Sequence, residues 1–455
     1  MDFKKYDVII VGAGIAGLYT AINLNSKLKV LVLSKRELTL CNTTLAQGGI
    51  IGVFDEQLTD DMLKSGKYQN NRENLRIMVE QGAKDIQSLT QLNVAFDKEP
   101  TTEGGHSHSR ILHCKDSTGE KIITALIGKV KSLDNVDCVE NAHLLRLEKQ
   151  GAHFIAHTLA HTQRHCYTAS VAVIATGGIG RVYNYTTNSD ISTGDGIALA
   201  YNLGANIKRM DLIQFHPTAY RGEEGQTFLI SEAVRGEGGH ILNKSGERFC
   251  NELETRNIVS RRMIEESQRQ NSNELYLDIS HKGEQYVKSR FPMIYSELLK
   301  KGYDLTKEPV PIFPCQHYLM GGIEVTSNGA TNIAGLYAAG ECAFTGVHGI
   351  NRIASSSLLE ALVFSRRAAE HINNSATKTT PSATQTPRLE KKSGELTLPE
   401  ELCSEIRDIM QKSYFVFPDY DRCRKGLARV KAIMETYDNP LATVAYLILN
   451  EVLNP

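Results

Sequence analysis

Tyr6-Asp7-Val8-Ile9-Ile10-Val11-Gly12-Ala13-Gly14-Ile15-Ala16-Gly17 decides the fold. Residues 6–11 are β-branched and apolar, residues 15–24 carry apolar side chains at helical spacing, and Val30–Leu33 is a second short strand. Strand, glycine turn, helix and strand make a βαβ unit, the start of a doubly wound sheet. In that setting Gly12 makes the tight turn, Gly14 lets the backbone approach a pyrophosphate, and Gly17 packs helix on strand. The pattern predicts dinucleotide binding. The second strand ends in Ser34-Lys35, where an acid commonly takes the ribose. The ribose contact is therefore expected from the serine or a backbone group.

Working outward, residues 171–176 form another buried-type strand ending in Gly177-Gly178, and residues 335–341 a further strand and turn. The predicted class is α/β. A Rossmann-like domain over 1–211 and 320–373 is interrupted by an inserted α+β capping domain at 212–319. The insert mixes helical pieces such as 256–268 with Gly-rich turns. Residues 374–400 are rich in Ser, Thr, Pro and Lys and read as a mobile linker. Helical spacing returns at 403–415, 422–435 and 441–453, giving a C-terminal helical domain over 401–455.

The chain has 455 residues, enough for two or three domains. Its net charge of −1 provides no global field for nucleic acid or anionic lipid. Nine cysteines are scattered without a C-x-x-C pair, which argues against zinc, iron–sulfur or disulfide frameworks and for reduced thiols in the cytoplasm. No apolar run approaches the roughly 20 residues of a membrane span.

Several segments carry chemistry. Thr43-Thr44-Leu45-Ala46-Gln47-Gly48-Gly49 is a glycine turn with hydroxyls, and Ala175-Thr176-Gly177 ends a strand where a phosphate or ring could lie close. Asp195 opens an apolar helix and reads equally as a helix cap. Glu341, after Gly340, suits a ribityl hydroxyl or a plain β-turn. Arg352 is an obligate cation that forks onto carboxylates, and Ser355-Ser356-Ser357 opens a helix with free N–H groups. In the insert, His216, Ser231, Arg256 and His317 together look like a dicarboxylate pocket. Glu103-Gly104-Gly105-His106-Ser107-His108-Ser109-Arg110 permits a metal reading for His106 and His108, but no third ligand is evident, and no metal is expected.

Together these segments, from Tyr6 to about Ile372, resemble the L-aspartate oxidase family of the fumarate reductase and succinate dehydrogenase flavoprotein superfamily. The resemblance implies FAD contacts at Gly12, Gly14, Ala16, Gly17, Ser34, Lys35, Asn42, Thr43, Thr44, Ala46, Gln47, Gly48, Gly49, Thr176, Gly177, Asp195, Glu341, Ser357 and Leu358. It implies a substrate site of Glu103, His216, Ser231, His317 and Arg352, with Arg256 at the position given the proton-transfer role. Ser231 stands where threonine is common, and the hydroxyl survives. Membrane-bound relatives attach flavin through a histidine at the position of Asn42, so FAD is expected to be non-covalent here.

The implied reaction is oxidation of L-aspartate to iminoaspartate with oxygen or fumarate as acceptor. It is the first step of de novo NAD biosynthesis, functionally linked to quinolinate synthase, in the cytoplasm and without nucleic acid or membrane. The alternative is a soluble fumarate reductase or succinate dehydrogenase-type flavoprotein subunit; Asn42 and the Glu103 block argue against it. The C-terminal helices are short for the family and read as a truncated bundle.

Overall fold

The computed structural model describes residues 4–160, 162–222, 227–375 and 398–454. Its centre is a five-stranded parallel sheet, ordered Leu336–Ala338, Val171–Ile174, Val8–Val11, Val30–Leu33, Val136–Val139. Helix Ile15–Asn23 links strand Val8–Val11 to strand Val30–Leu33, as the βαβ reading requires. Val8, Ile10, Val30 and Val32 enter one core, while Ile9, Val11, Leu31 and Leu33 enter another. Both faces are covered, which is why these strands read as unbroken apolar runs. The edge strand Leu336–Ala338 joins only after the chain has traversed 213–319, so the sheet is completed late.

That intervening stretch builds a separate antiparallel sheet, ordered Thr227–Leu229, Ile213–Arg221, Val310–Leu319, Tyr276–Asp278, His240–Leu242. It has its own core of Ile241, Val259, Met263, Leu277, Phe291 and Ile294. Its two long strands slip register twice. Gln214 faces Tyr318 while Phe215 faces Gln316, so His317 is the extra residue of a bulge. The second slip falls between His216 and Ala219, at Pro217, which has no N–H for the ladder. Bulges re-aim side chains, and both histidines of the expected site lie at one.

Helices Glu400–Ser413, Tyr420–Thr436 and Pro440–Leu453 pack into the same core as Ile9 and Val11. Two features differ from the sequence reading. Ala142–Gln150, His153–Ala160 and Gln163–Ala169 form antiparallel strands, which join Lys4–Lys5 in a four-stranded sheet. Helix Ser357–Ser375 runs two residues into the expected linker, of which 376–397 lie outside the described residues.

Candidate active site

One continuous cleft, with about 1720 Å³ of empty space partly open to solvent, begins at the carboxyl ends of the parallel strands. Gly12, Gly14, Ser34, Lys35 and Asp195 line it, and so do His216, Ser231, Arg256, His317 and Arg352. The dinucleotide-type turn and the expected dicarboxylate pocket are therefore one site.

At the glycine turn the backbone leaves no room for side chains. Gly12 has φ +110°, and a Cβ there would lie 2.1 Å from the Ala175 carbonyl oxygen. A Cβ on Gly17 would lie 1.9 Å from the Gly12 carbonyl oxygen, so this glycine serves packing and does not line the cleft. Gly14 caps helix Ile15–Asn23 without a side-chain bond of its own; the Ile15 N–H donates to Thr43 Oγ1 at 3.1 Å, and the following N–H groups of the first turn face an anion site. Gly12→Ala is expected to yield protein largely without flavin, read as lost visible flavin absorbance after purification.

An acid does stand near the end of the second strand, but it comes from elsewhere in the chain. Asp195, first residue of helix Asp195–Asn202, lies 2.8 Å from Lys35 Nζ and accepts from Thr193 Oγ1 at 2.6 Å. Burial opposes its ionisation, but His143, Lys35 and Thr193 outweigh burial and hold it well below the usual carboxylate range. An acid absent from the second strand's own sequence is thus brought beside Lys35 by tertiary contact. Glu341 is half-buried, and desolvation pushes its carboxyl up to about 7, with the Leu319 N–H on Oε1. Thr44 departs from the expectation: it lies off the cleft, and its hydroxyl donates to the Thr39 carbonyl. Gln47 lines the cleft, but its amide also ties the loop to the insert. Nε2 donates to the Leu229 carbonyl at 2.5 Å, and Oε1 accepts from Ser231 N at 2.9 Å.

The other end is a cage of charge. Arg352 donates through Nη1 to Ser357 Oγ (2.5 Å), through Nη2 to His317 Nε2 (3.2 Å) and through Nε to Gln214 Oε1 (3.3 Å). Its guanidinium carbon lies 4.3 Å from the Tyr318 ring centroid. A guanidinium has five N–H donors, so one remains on each Nη, the fork that fits a carboxylate. Burial and then Arg256 bring it down to about 10, still cationic at neutral pH.

Arg256 opens helix Arg256–Gln270 and donates to Glu232 Oε2 (2.5 Å) and Gln214 Oε1 (3.0 Å). Burial opposes ionisation of Glu232, but Arg235 and Arg256 outweigh it and lower its pKa. Glu103 has the opposite balance. Burial, reinforced by Glu232, raises its pKa against the Ser355 hydroxyl, which donates to Oε2 at 2.5 Å, and against Arg256 and Arg290.

Burial first, and then Arg256, keep both histidines well below their ordinary pKa and neutral. His216 Nδ1 accepts from Thr218 N at 3.2 Å, so Nε2–H is its free donor. His317 Nε2 accepts from Arg352, so Nδ1–H donates to Thr187 Oγ1 at 2.7 Å. The donor expected from His317 is directed to Thr187, and the ring orients Arg352 instead.

A family model described as an FAD binding domain matches residues 7–358. The chain is 44% identical over 380 residues to the L-aspartate oxidase of Clostridium perfringens, covering 81% of this chain and 87% of that one. It is 41% identical to the L-aspartate oxidase of Yersinia pestis, covering 80% and 74%. The chain belongs to the L-aspartate oxidase family. FAD is its cofactor, and the cleft described above fits it: a helix N-terminus whose cap, Gly14, carries no side chain, an ionised acid near the second strand and glycines that a Cβ would block. The structure also resembles Escherichia coli quinol fumarate reductase FrdA, with a TM-score of 0.86 and 26% identity over 100% of this chain and 88% of that one. Against the Mycobacterium smegmatis Sdh1 complex in the apo form, the TM-score is 0.82 at 26% identity, covering 100% and 87%.

Within this L-aspartate oxidase fold, several site residues were not assigned roles from sequence. Gln214 bridges the two arginines through one oxygen, while its Nε2 donates to the Arg352 carbonyl at 2.8 Å. Glu232 anchors Arg256 and pairs with Arg235 at 3.1 Å. Tyr318 supports Arg352 and donates to Glu360 at 2.9 Å. The only sequence signal was adjacency, since each stands one to three residues from an expected site residue.

Proposed function

We propose that this chain oxidises L-aspartate to iminoaspartate. The observation that carries the reading is a buried carboxylate, Glu103, in a pocket otherwise built for two carboxylates. Arg352 takes one carboxylate on its remaining fork, and His216 Nε2–H, Ser231 and the unused Arg256 Nη2 hold the other. Glu103 meets the ammonium, a charge that fumarate and succinate lack. Oε2 already accepts from Ser355, which leaves Oε1 for the ammonium. Bound FAD supplies the acceptor for the hydride equivalents of Cα. As the Cα–H bond breaks and the C=N bond forms, the substrate nitrogen gives up one proton, and Glu103 Oε1 receives it.

Arg256 is anchored by Glu232 as a guanidinium cation before any proton transfer. It balances the substrate's charge during aspartate oxidation and is the proton donor when fumarate is reduced. Oxygen and fumarate are the acceptors in this reading, and the product feeds quinolinate synthesis in the cytoplasm. All nine cysteines are free, and no helix among the described residues is long and apolar enough to cross a membrane. The direct test is aspartate-dependent consumption of oxygen or fumarate by the purified holoprotein, with oxaloacetate and ammonia as hydrolysis products. Turnover with succinate alone would support the fumarate reductase or succinate dehydrogenase reading.

Asn42 uses its Oδ1 to accept from Ser189 N at 2.9 Å, and an amide has no nucleophilic ring nitrogen. FAD is therefore held non-covalently, and acid precipitation should leave the flavin in the supernatant. The Glu103 environment also predicts a pH dependence. Ammonium binding needs the ionised carboxylate, and the raised pKa means ionisation is completed only above the usual carboxylate range. The KM for L-aspartate should therefore fall as pH rises through that range. The neutral acid does not repel a dianion, so the KM for fumarate should rise over the same interval. Parallel pH profiles for the two would contradict the assignment.

A further inference from the structure

His106 and His108 carry the metal-like spacing, yet the structure gives them unlike surroundings. His106 is buried, and both ring nitrogens are committed: Nε2–H donates to the Ala354 carbonyl at 2.9 Å, and Nδ1 accepts from Arg110 Nη1 at 3.3 Å. His108 is largely exposed, with Asp55 at 3.4 Å. Arg110 can only donate, which fixes the His106 tautomer. Arg110 is itself fully buried and paired to Asp55 at 2.8 Å and Asp61 at 2.5 Å. Asp61 also accepts from Ser107 N and Oγ at 2.8 and 2.7 Å. A fully paired buried network of this kind is rigid.

What that network holds is the pair Glu103–Ser355. The His106 backbone N–H donates to the Glu103 carbonyl at 3.1 Å, and its ring holds the carbonyl that precedes Ser355. Ser355 has φ +58°, uncommon for a non-glycine residue. Its own carbonyl accepts from Ile51 N at 3.1 Å, and its hydroxyl donates to Glu103. One side chain therefore ties the segment carrying Glu103 to the segment carrying its hydroxyl partner. We propose that His106 is a positioning residue that aims the Glu103 carboxylate at the substrate ammonium, and so sets the preference for an amino dicarboxylate over a plain one. The inference rests on the assignment of Glu103 to that ammonium.

The test compares kcat/KM for L-aspartate oxidation with kcat/KM for fumarate reduction in holoenzyme variants matched for FAD content. In His106→Leu the aspartate value should fall about tenfold to a hundredfold, mostly through KM, as a misplaced positioning group does; the fumarate value should stay within about twofold. His106→Gln, whose amide can reach the Ala354 carbonyl, should recover most of the loss, and His108→Leu should change nothing. Equal losses on both substrates, or no loss, would overturn the proposal. Should His106→Leu not hold FAD, Ser355→Ala decides: it must show the same selective loss, and an unchanged substrate ratio overturns the inference. Failure of L-aspartate to reduce the flavin of the unaltered protein overturns the parent reading and the inference with it. Reduction that persists unchanged in His106→Leu overturns the inference alone.

Discussion

Arg256→Leu is expected to lower aspartate turnover by about a thousandfold while FAD remains bound. The magnitude follows from losing a preorganised charge in a water-poor site, where one donor is worth about two to three orders of magnitude in rate. Arg256 touches the substrate half of the cleft through a guanidinium held by Glu232 and Gln214. Its removal leaves Glu232 still paired with Arg235, so the fold does not inherit an orphaned buried carboxylate. The loss should therefore appear in kcat, with the visible flavin spectrum intact. Lysine should not rescue it, because a point charge cannot bridge Glu232 and Gln214 as a planar fork does. Near-normal turnover of Arg256→Leu would remove the residue from the mechanism.

Glu103→Gln is expected to separate the two substrates. The amide keeps the shape and an acceptor for Ser355 but removes the charge that pairs with the ammonium. A hydrogen bond to a charged group is worth about 1.5–3 kcal/mol, or about one to two decades in kcat/KM. Loss of the proton acceptor adds about two decades or more in kcat. Fumarate reduction should survive, since fumarate has no ammonium and gains from a neutral neighbour. Steady-state kinetics with both substrates on one preparation provide the check. An equal fall for both would mean that Glu103 serves the pocket's architecture and not the amino group.

These expectations depend on contacts that were unevenly legible in the sequence. The glycine turn and the apolar strands could be read because their signals are local: Gly12, Gly14 and Gly17 stand at fixed spacing between one strand and its helix, although the carbonyl that crowds Gly12 comes from Ala175, and strands buried on both faces show as apolar runs. The members of the charge cage could be named as residue types near domain boundaries. Their pairing could not, because it is tertiary. Asp195 meets Lys35 across 160 positions, and Ser355 meets Glu103 across 252. The role of His317 as the extra residue of a bulge depends on register between strands nearly a hundred residues apart, which no local pattern encodes. Thr44 fell outside the cleft for the converse reason. Its loop was read as a unit, but the hydroxyl satisfies a carbonyl five residues back.

The arrangement also explains how one scaffold can host related chemistries. The fork of Arg352, the His216 donor and the Glu232-anchored Arg256 would serve any dicarboxylate. In the proposed reading only Glu103, with the network of His106, Arg110 and Asp61 behind its loop, distinguishes a substrate carrying an amino group. In this account specificity sits in one buried acid with a raised pKa and not in the cationic cage.

The central claim is most directly tested by anaerobic titration of the purified flavoprotein with L-aspartate, with succinate in parallel, followed by admission of oxygen or fumarate. The account predicts bleaching of the flavin by L-aspartate, little by succinate, and recovery of the oxidised spectrum with either acceptor. Bleaching by succinate and not by L-aspartate would contradict it.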